Sequence, residues 1–446
     1  MAKKRDSLDD IVSLAKRKGF IFQSSEIYGG QNGCWDYGPL GSQLKRNIEQ
    51  AWWDWMTLEQ DDIEGLDAAI IMHPRVWEAS GHVSEFTDPL VDCTNCKSRF
   101  RADQLEEGNP DQCPVCGMKG TLTAPRQFNL MLKTYIGPVE EAAAVAYLRP
   151  ETCQGIYVDY QLVMTAMRQK IPFGIAQIGK AFRNEINPRH FVFRSREFEQ
   201  KEMQFFVKPG SDMNWFESWR DKRMDYYQNL GINPEKLRFA PHDKLAHYAA
   251  AAVDIEYAFP FGWGEIEGIH NRTDFDLKRH SEFSGKDLSY FDDETRERFI
   301  PYIIEVSSGV NRTLLAYLCD AYDVEELEKD SRTVLRFHPR LAPIKAGIFP
   351  LVKRDGMPEK AHHVERMLKP HYRVFYDEGG AVGRRYRRQD EAGTPFCITI
   401  DSQTLEDNTV TVRDRDSMAQ ERFAIDRLVE VLGDKIQDWQ RPGSSN

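Results

Sequence analysis

The feature that most limits how this chain can fold is a pair of β-like runs, IAQIGKAFRNE (175–185) and SREFEQKEMQFFV (195–207). A polar loop containing Asn187, Pro188, Arg189 and His190 separates them. A link that short joins antiparallel neighbours, because a parallel pair needs a crossover of about a dozen residues or more. Successive side chains on a strand alternate between faces. Arg194, Arg196, Phe198, Gln200 and Glu202 therefore share one face of the second run, and Arg183 and Glu185 share one face of the first. Two more strand-like runs, WGEIEGI and PYIIEVSSGV, repeat the theme with Glu265 and Glu267, then Glu305 and Ser307. A sheet face of this kind has two readings. It is either an outer surface laced with cross-strand ion pairs or the floor of a site for a polyanionic, metal-chelated substrate such as ATP. In the second reading arginines hold phosphates, carboxylates take Mg²⁺ or an ammonium group, and Phe198 stacks a base.

Around this sheet the chain of 446 residues has room for about three domains. Leu44, Ile48, Ala51, Trp52 and Trp55 recur at helical spacing after the turn residues Pro39 and Gly41. Ala68 to Met72 form a short apolar run ended by Pro74, which reads as a buried strand. Residues 211–230 and 242–253 read as helices, as does NRTLLAYLCDAYDVEEL after a glycine, and 331–345 reads as a connector. Beyond it AGIFPLVK, HHVERMLKP, HYRVFYDE, FCITID, NTVTVRDR and a final helix alternate in the manner of a small α/β domain. The boundary falls near 335–340, and the tail 441–446 looks loose.

Segment 93–120 is small, polar and rich in glycine, proline and cysteine, and it reads as an insertion. Cys93-x2-Cys96 and Cys113-x2-Cys116 supply four soft ligands on two turns, the pattern of a closed structural Zn²⁺ site. Unligated thiols and a redox pair are the alternatives. Cys34, Cys153, Cys319 and Cys397 stand alone and read as packed thiols. The N-terminus has no apolar run long enough for a signal peptide, and no stretch approaches the length of a membrane span. A cytoplasmic protein with reduced thiols is expected. Its net charge of -11 argues against a chain that coats nucleic acid through bulk charge, while leaving room for a local basic patch.

The residues also carry a family resemblance. FRNE (182–185) with RSREF (194–198), GVNR (309–312) and the helix–strand–proline segment ending at Pro74 resemble motifs 2, 3 and 1 of the class II aminoacyl-tRNA synthetases. More narrowly, WDYGPLG, VWEASGH, RPETCQGIY, REFEQKEMQFF, RTDFDL, EVSSGVNR, GRRYRRQDEAGTPF and VTVRDRD resemble, in order, the homodimeric glycyl-tRNA synthetases. The resemblance implies an α/β (α+β) architecture: an antiparallel-sheet catalytic domain over 1–335, a zinc-ribbon-like insertion at 93–120 and an anticodon-binding domain over 340–446. It implies ATP with Mg²⁺, structural Zn²⁺, glycine and tRNA(Gly), a homodimer, and neither membrane nor DNA as partner.

Residue roles follow from the same resemblance. Arg183 and Arg312 are the catalytic arginines, on the α-phosphate and on the γ-phosphate or adenine. ATP binding is implied for Arg183, Asn184, Glu185, Phe193, Arg194, Ser195, Arg196, Glu197, Phe198, Glu265, Ile266, Gly309, Val310, Asn311 and Arg312. Glycine binding is implied for Arg101, Glu151, Phe198, Glu199, Gln200, Lys201, Glu202, Arg272, Glu305, Ser307 and Gly309. Within these sets Glu185 reads the adenine amino group, Glu265 and Glu305 face Mg²⁺ or ammonium, and Arg272 takes the glycine carboxylate. Arg384, Arg385, Tyr386, Arg387 and Arg388 are the candidates for anticodon contact. Cys153, Asn311 and the pair His270–Asn271 depart from the family pattern. A synthetase-like accessory protein and a synthetase for another small amino acid are the competing readings, and the word glycine rests on the resemblance alone.

Overall fold

The computed structural model describes residues 7–105, 111–141, 144–245, 249–328 and 330–442; the tail beyond 442 lies outside them. Seven strands form the main sheet: β1 (Ile63–Gly65), β2 (Phe173–Phe182), β3 (Glu197–Val207), β4 (Leu237–Pro241), β5 (Ala251–Phe259), β6 (Gly262–Thr273) and β7 (Tyr302–Gly309). Their order is β4-β5-β6-β7-β3-β2-β1. All neighbours are antiparallel except β1 and β2. β2 and β3 pair from Phe173↔Phe206 to Phe182↔Glu197, as their short link requires.

Helices cover both faces unequally. They are α1 (Pro39–Thr57), α2 (Cys153–Met167), α3 (Asp212–Asn229), α4 (Phe275–Ser284) and α5 (Val310–Ala321). On one face α1, α3 and α5 close a continuous apolar core that includes Trp52, Trp219, Leu314, Ile255, Ile269 and Val306. On the other face α2 and α4 cover only one end of the sheet, over Phe173, Ile175, Phe206 and Ile303. The middle of that face is left to polar side chains and becomes a cleft. Helix α1 buries Leu44, Ile48, Ala51 and Trp52, as its spacing predicts, with Pro39 in its first turn. A Cβ at Gly41 would lie 1.7 Å from the Phe20 carbonyl oxygen, so only glycine allows that approach.

Three local expectations give way. Residues 68–72 are not a strand; the strand of this region is β1, just before them. The Ala68 N–H donates to Gln177 Oε1 at 2.7 Å and its carbonyl accepts from Arg149 Nη1 at 2.8 Å. Side chains thus satisfy the backbone where a ladder would have done so. Residues 251–253 open β5 instead of ending a helix, because Val253, Ile255 and Tyr257 alternate into the core; 246–248 lie outside the described residues. Helix α5 stops at Ala321, and Tyr322–Glu326 pairs in a hairpin with Ser331–Leu335, inside the stretch read as a connector.

The C-terminal segment forms a second sheet of β8 (Ala346–Pro350), β9 (Val374–Tyr376), β10 (Phe396–Ile400), β11 (Thr409–Asp414) and β12 (Gln420–Ala424), ordered β9-β8-β10-β11-β12. Helices α6 (Met357–Leu368), α7 (Val382–Ala392) and α8 (Leu428–Gln437) accompany it. Its own core joins Ile348, Val364, Ile398, Val412 and Leu428. A three-stranded sheet of Thr87–Asp92, Arg99–Arg101 and Arg126–Asn129 carries the cysteine segment. No helix among the described residues is long and apolar enough to cross a membrane.

Candidate active site

The cleft encloses about 970 Å³ of space open to solvent, and β3, β6 and β7 form its floor. Alternation on β3 delivers Phe198, Gln200 and Glu202 into it, and β7 delivers Glu305, Ser307 and Gly309. Arg183, Glu185, Phe193, Arg194 and Ser195 enter from the loop between β2 and β3, Asn311 and Arg312 from the start of α5, and Glu151 from the residues before α2.

Carboxylates crowd one part of the cleft. Glu202 Oε1 accepts from Ser307 Oγ at 2.7 Å and Gln200 Nε2 at 3.2 Å, while Oε2 accepts from the Thr152 N–H at 3.0 Å and from the Thr152 hydroxyl. Burial, with Glu305 and Glu151 close by, pushes Glu202 up to about 7. Burial also works against ionisation of Glu305, but Arg272 and His270 outweigh it and hold this carboxyl down at about 2. Glu151 is buried too, yet His82, whose Nε2 lies 3.3 Å away, and Arg272 hold it well below the usual carboxylate range. Arg272 is braced by Asp276 through contacts of 2.8 and 3.1 Å and reaches Glu305 at 3.3 Å.

Arginines crowd another part. Arg312 lies over the Phe193 ring at 4.4 Å and pairs with Glu265 at 2.9 Å. Arg183 lies 5.3 Å from the Phe198 ring and donates from Nε to the Pro150 carbonyl at 3.1 Å. Arg194 is partly desolvated and sits near Glu185 and Arg312; burial and the repulsion of Arg312 lower its pKa. Ser195 Oγ and Gln200 Oε1 are buried in the cleft wall without a hydrogen-bond partner among the described residues. One cleft thus sets a group of carboxylates suited to a cation beside a group of arginines suited to an anion, with two aromatic rings among the arginines.

Several residues drawn in by their motifs point elsewhere. Glu199 and Lys201 occupy the opposite face of β3, where Glu199 pairs with Lys45 of α1 and Lys201 Nζ lies 3.3 Å from Thr313 Oγ1 of α5. Glu197 is exposed and pairs with Lys180 at 2.5 Å. Arg196 precedes β3 and reaches out to the Asn32 and Glu185 carbonyls at 2.9 and 3.1 Å. Asn184 uses its N–H on the Leu130 carbonyl at 2.8 Å and does not line the cleft. Ile266 and Val310 are core residues, and Arg101 pairs with Asp88 at 3.0 Å outside the cleft lining.

Parity also fails at Ile266 on β6. Ile255 pairs with Glu267 and Glu256 with Glu265, so Ile266 is an extra residue and the strand bulges. Glu265 therefore faces the cleft, while Glu267 is fully buried on the helix side and binds Arg223 at 2.5 and 3.1 Å. Conversely, His82, Thr152, Asp276 and the cleft-lining His270 had no assigned role. The first three do lie inside stretches that carry the resemblance, which was their available signal.

In the cysteine segment, Cys93 Sγ lies 3.8 Å from Cys116 Sγ and Cys96 Sγ lies 3.6 Å from Cys113 Sγ, with all four sulfurs within 4.8 Å of one another. A tetrahedral ion with Zn–S bonds of about 2.3 Å needs sulfurs about 3.8 Å apart. The two turns match: Lys97 N–H donates to the Cys93 carbonyl and Gly117 N–H to the Cys113 carbonyl, both at 2.9 Å. Lys97 and Gly117 both take left-handed φ, 61° and 71°.

In the C-terminal unit the basic cluster forms α7 and divides by helix face. Arg384 and Arg388 are exposed, and Arg387 is half-buried, facing Asp330 at 3.3 Å. Arg385 is buried and donates to the Pro350 and Gly380 carbonyls at 2.5 and 2.7 Å. The Tyr386 hydroxyl bonds Thr399 at 2.7 Å, and its ring packs against Phe349. These two side chains are thus engaged in packing and hydrogen bonds within the C-terminal unit.

Comparison with known proteins agrees with this layout. The family described as tRNA synthetase class II core domain (G, H, P, S and T) matches residues 139–321, and the family described as anticodon binding domain matches 345–435. The chain is 57% identical to the glycine–tRNA ligase of Treponema denticola, over 98% of each chain. It is 53% identical to that of Thermobifida fusca, over 98% of this chain and 99% of the relative. With that of Borreliella burgdorferi it shares 53% identity, over 97% and 98%. Likeness of this extent, from the cleft to the C-terminal sheet, places the chain in the glycine–tRNA ligase family of class II aminoacyl-tRNA synthetases.

Proposed function

We propose that this protein is a glycine–tRNA ligase that activates glycine with ATP to glycyl-adenylate and pyrophosphate, then transfers glycine to the 3′ end of tRNA(Gly). The observation that carries the reading is the pairing of a carboxylate cluster with an arginine cluster on one sheet face, because a zwitterionic amino acid and a triphosphate need both. Glu151, Glu202 and Glu305 hold the ammonium, and Arg272, braced by Asp276, takes the carboxylate. Phe198 and Arg312 hold the adenine end, and Arg183 and Arg194 neutralise phosphate. The glycine carboxylate attacks the α-phosphorus, the bond to the pyrophosphate oxygen breaks, and pyrophosphate leaves. The nucleophile is already anionic, so no base is required; positioning and charge stabilisation supply the rate. Mg²⁺, for which Glu265 and Glu305 offer oxygen ligands, supplies further charge neutralisation at the phosphates. The ribose hydroxyl of the tRNA end then attacks the carbonyl of the adenylate and AMP leaves.

The reading extends to the rest of the chain. Residues 1–335 form the catalytic domain and 340–446 bind the anticodon arm, with Arg384, Arg387 and Arg388 as the accessible candidates. The four cysteines at 93–116 hold a structural Zn²⁺, whose closed thiolate set leaves no position for substrate. The protein acts in the cytoplasm as a homodimer through α1 and β1. ATP–pyrophosphate exchange against all twenty amino acids is the deciding test. Exchange with glycine alone supports the reading; exchange with alanine or serine alone, or none, overturns it.

Glu202 adds a pH signature. Its carboxyl ionises at about 7 in the free protein, and an ammonium placed beside it lowers that value. Below pH 7 binding must release a proton, so glycine affinity should fall by up to about tenfold per pH unit and level off above 7. Calorimetric titration between pH 6 and 8 checks this; a flat profile would show that Glu202 does not meet the ammonium.

A further inference from the structure

We propose that His242, Asp254 and His270 form a binding site for a divalent transition-metal ion of the zinc class at the rim of the cleft. One ligand atom from each lies within 4.8 Å of the other two. His242 Nε2 is 2.9 Å from Asp254 Oδ2, and the two imidazole centroids are 5.7 Å apart. The strands create this convergence. Ala252 pairs with His270 and Asp254 with Gly268, which makes Asp254 and His270 diagonal neighbours on one face of the β5–β6 ladder. His242 is tied to the same ladder by its N–H, which donates to the Ala252 carbonyl at 3.2 Å. Gly268 keeps the space between them open: a Cβ there would lie 3.3 Å from His270 Nε2 and 3.4 Å from Asp254 Oδ1.

The hydrogen bonding around the site selects the ligand atoms. His270 Nδ1 is 2.7 Å from Glu305 Oε1, which directs Nε2, the atom over Gly268, to the ion. An imidazole held by a carboxylate at one nitrogen while the other faces metal is the arrangement that orients metal-bound histidines. Two imidazoles and one carboxylate suit zinc, cobalt or nickel, whereas Mg²⁺ and Ca²⁺ take oxygen. The three side chains are 34%, 17% and 20% exposed, so water can complete the coordination. This site is separate from the four cysteines, and its occupancy does not depend on the ligase reading.

Cobalt binding to the full-length protein tests it. Wild-type protein should take up cobalt that lacks thiolate-to-cobalt charge-transfer bands, besides any that shows them at the cysteines. His242→Ala and Asp254→Asn should each remove the band-free cobalt. The affinity loss should exceed the roughly 10–100-fold typical of losing an outer-shell partner. Both variants should keep the wild-type circular dichroism and cysteine-site spectrum, which separates loss of a ligand from loss of the fold. Equal cobalt uptake by wild type and both variants, or uptake at thiolates alone, would overturn the proposal.

Discussion

Replacing Arg183 with alanine should lower ATP–pyrophosphate exchange by about a thousandfold or more and move the melting temperature by only a few degrees. The guanidinium is half-buried, lies between the Phe86 and Phe198 rings at 5.5 and 5.3 Å, and donates one hydrogen bond to the Pro150 carbonyl. Losing one such bond at an accessible site costs about 0.5–1.5 kcal/mol, a shift of a few degrees for a domain of this size. The catalytic loss is larger because the charge is aimed where phosphoryl charge develops, and a donor or arginine in that role is worth about 10²–10⁵ in rate. Arg183→Lys keeps the charge but not the planar fork, and should recover only part of the rate. Exchange that survives Arg183→Ala would remove this residue from the chemistry.

The largest expected effect on stability lies behind the sheet. Arg223 and Glu267 are both fully buried, bound through two contacts, and the Tyr227 hydroxyl donates to Glu267 at 2.8 Å. Trp55 and Tyr226 flank the guanidinium at 4.7 and 4.1 Å. Glu267→Ala strands a buried cation with no solvent to replace its partner, and should cost about 3–5 kcal/mol in denaturant unfolding. Replacing both partners with apolar residues of similar volume should recover most of that loss, because the stranded charge disappears with its partner. A single variant as stable as wild type would mean that water reaches the pair.

Much of the cleft was legible because alternation is a geometric rule that needs no knowledge of the rest of the fold. Phe198, Gln200, Glu202, Glu305 and Ser307 share the cleft as their parity requires. The rule says nothing about where a strand starts, so Arg196, one residue before β3, falls outside it. Motif likeness selects stretches, whereas a strand offers only alternate residues to one face; Glu197, Glu199, Lys201 and Ile266 were gathered for that reason, and Val310 misses the cleft because the first turn of α5 aims it into the core. That Arg385 is buried and Tyr386 bonds Thr399 was not legible, because composition does not reveal which face of a basic helix packs. Glu151 meets His82, and Thr152 meets Glu202, across separations that only the folded sheet closes. The seven-strand order, with β6 between β5 and β7, was equally out of reach, since pairing between distant segments leaves little local trace.

The extra residue in β6 also limits how this gene can change. Deleting Ile266 would leave Glu265 and Glu267 adjacent in an unbroken ladder, where neighbours point to opposite faces, so the cleft would keep its acid and Arg223 its counterion while the core lost one buried side chain. A second insertion would reverse every side chain from there to one end of the strand, including Arg272 and His270. A one-residue change between Glu267 and His270 has no bulge to absorb it, so the strand can shorten at Ile266 but not in that stretch. Descendants of this sequence can therefore lose a residue from this strand where it bulges, while the buried acid beside the bulge stays fixed.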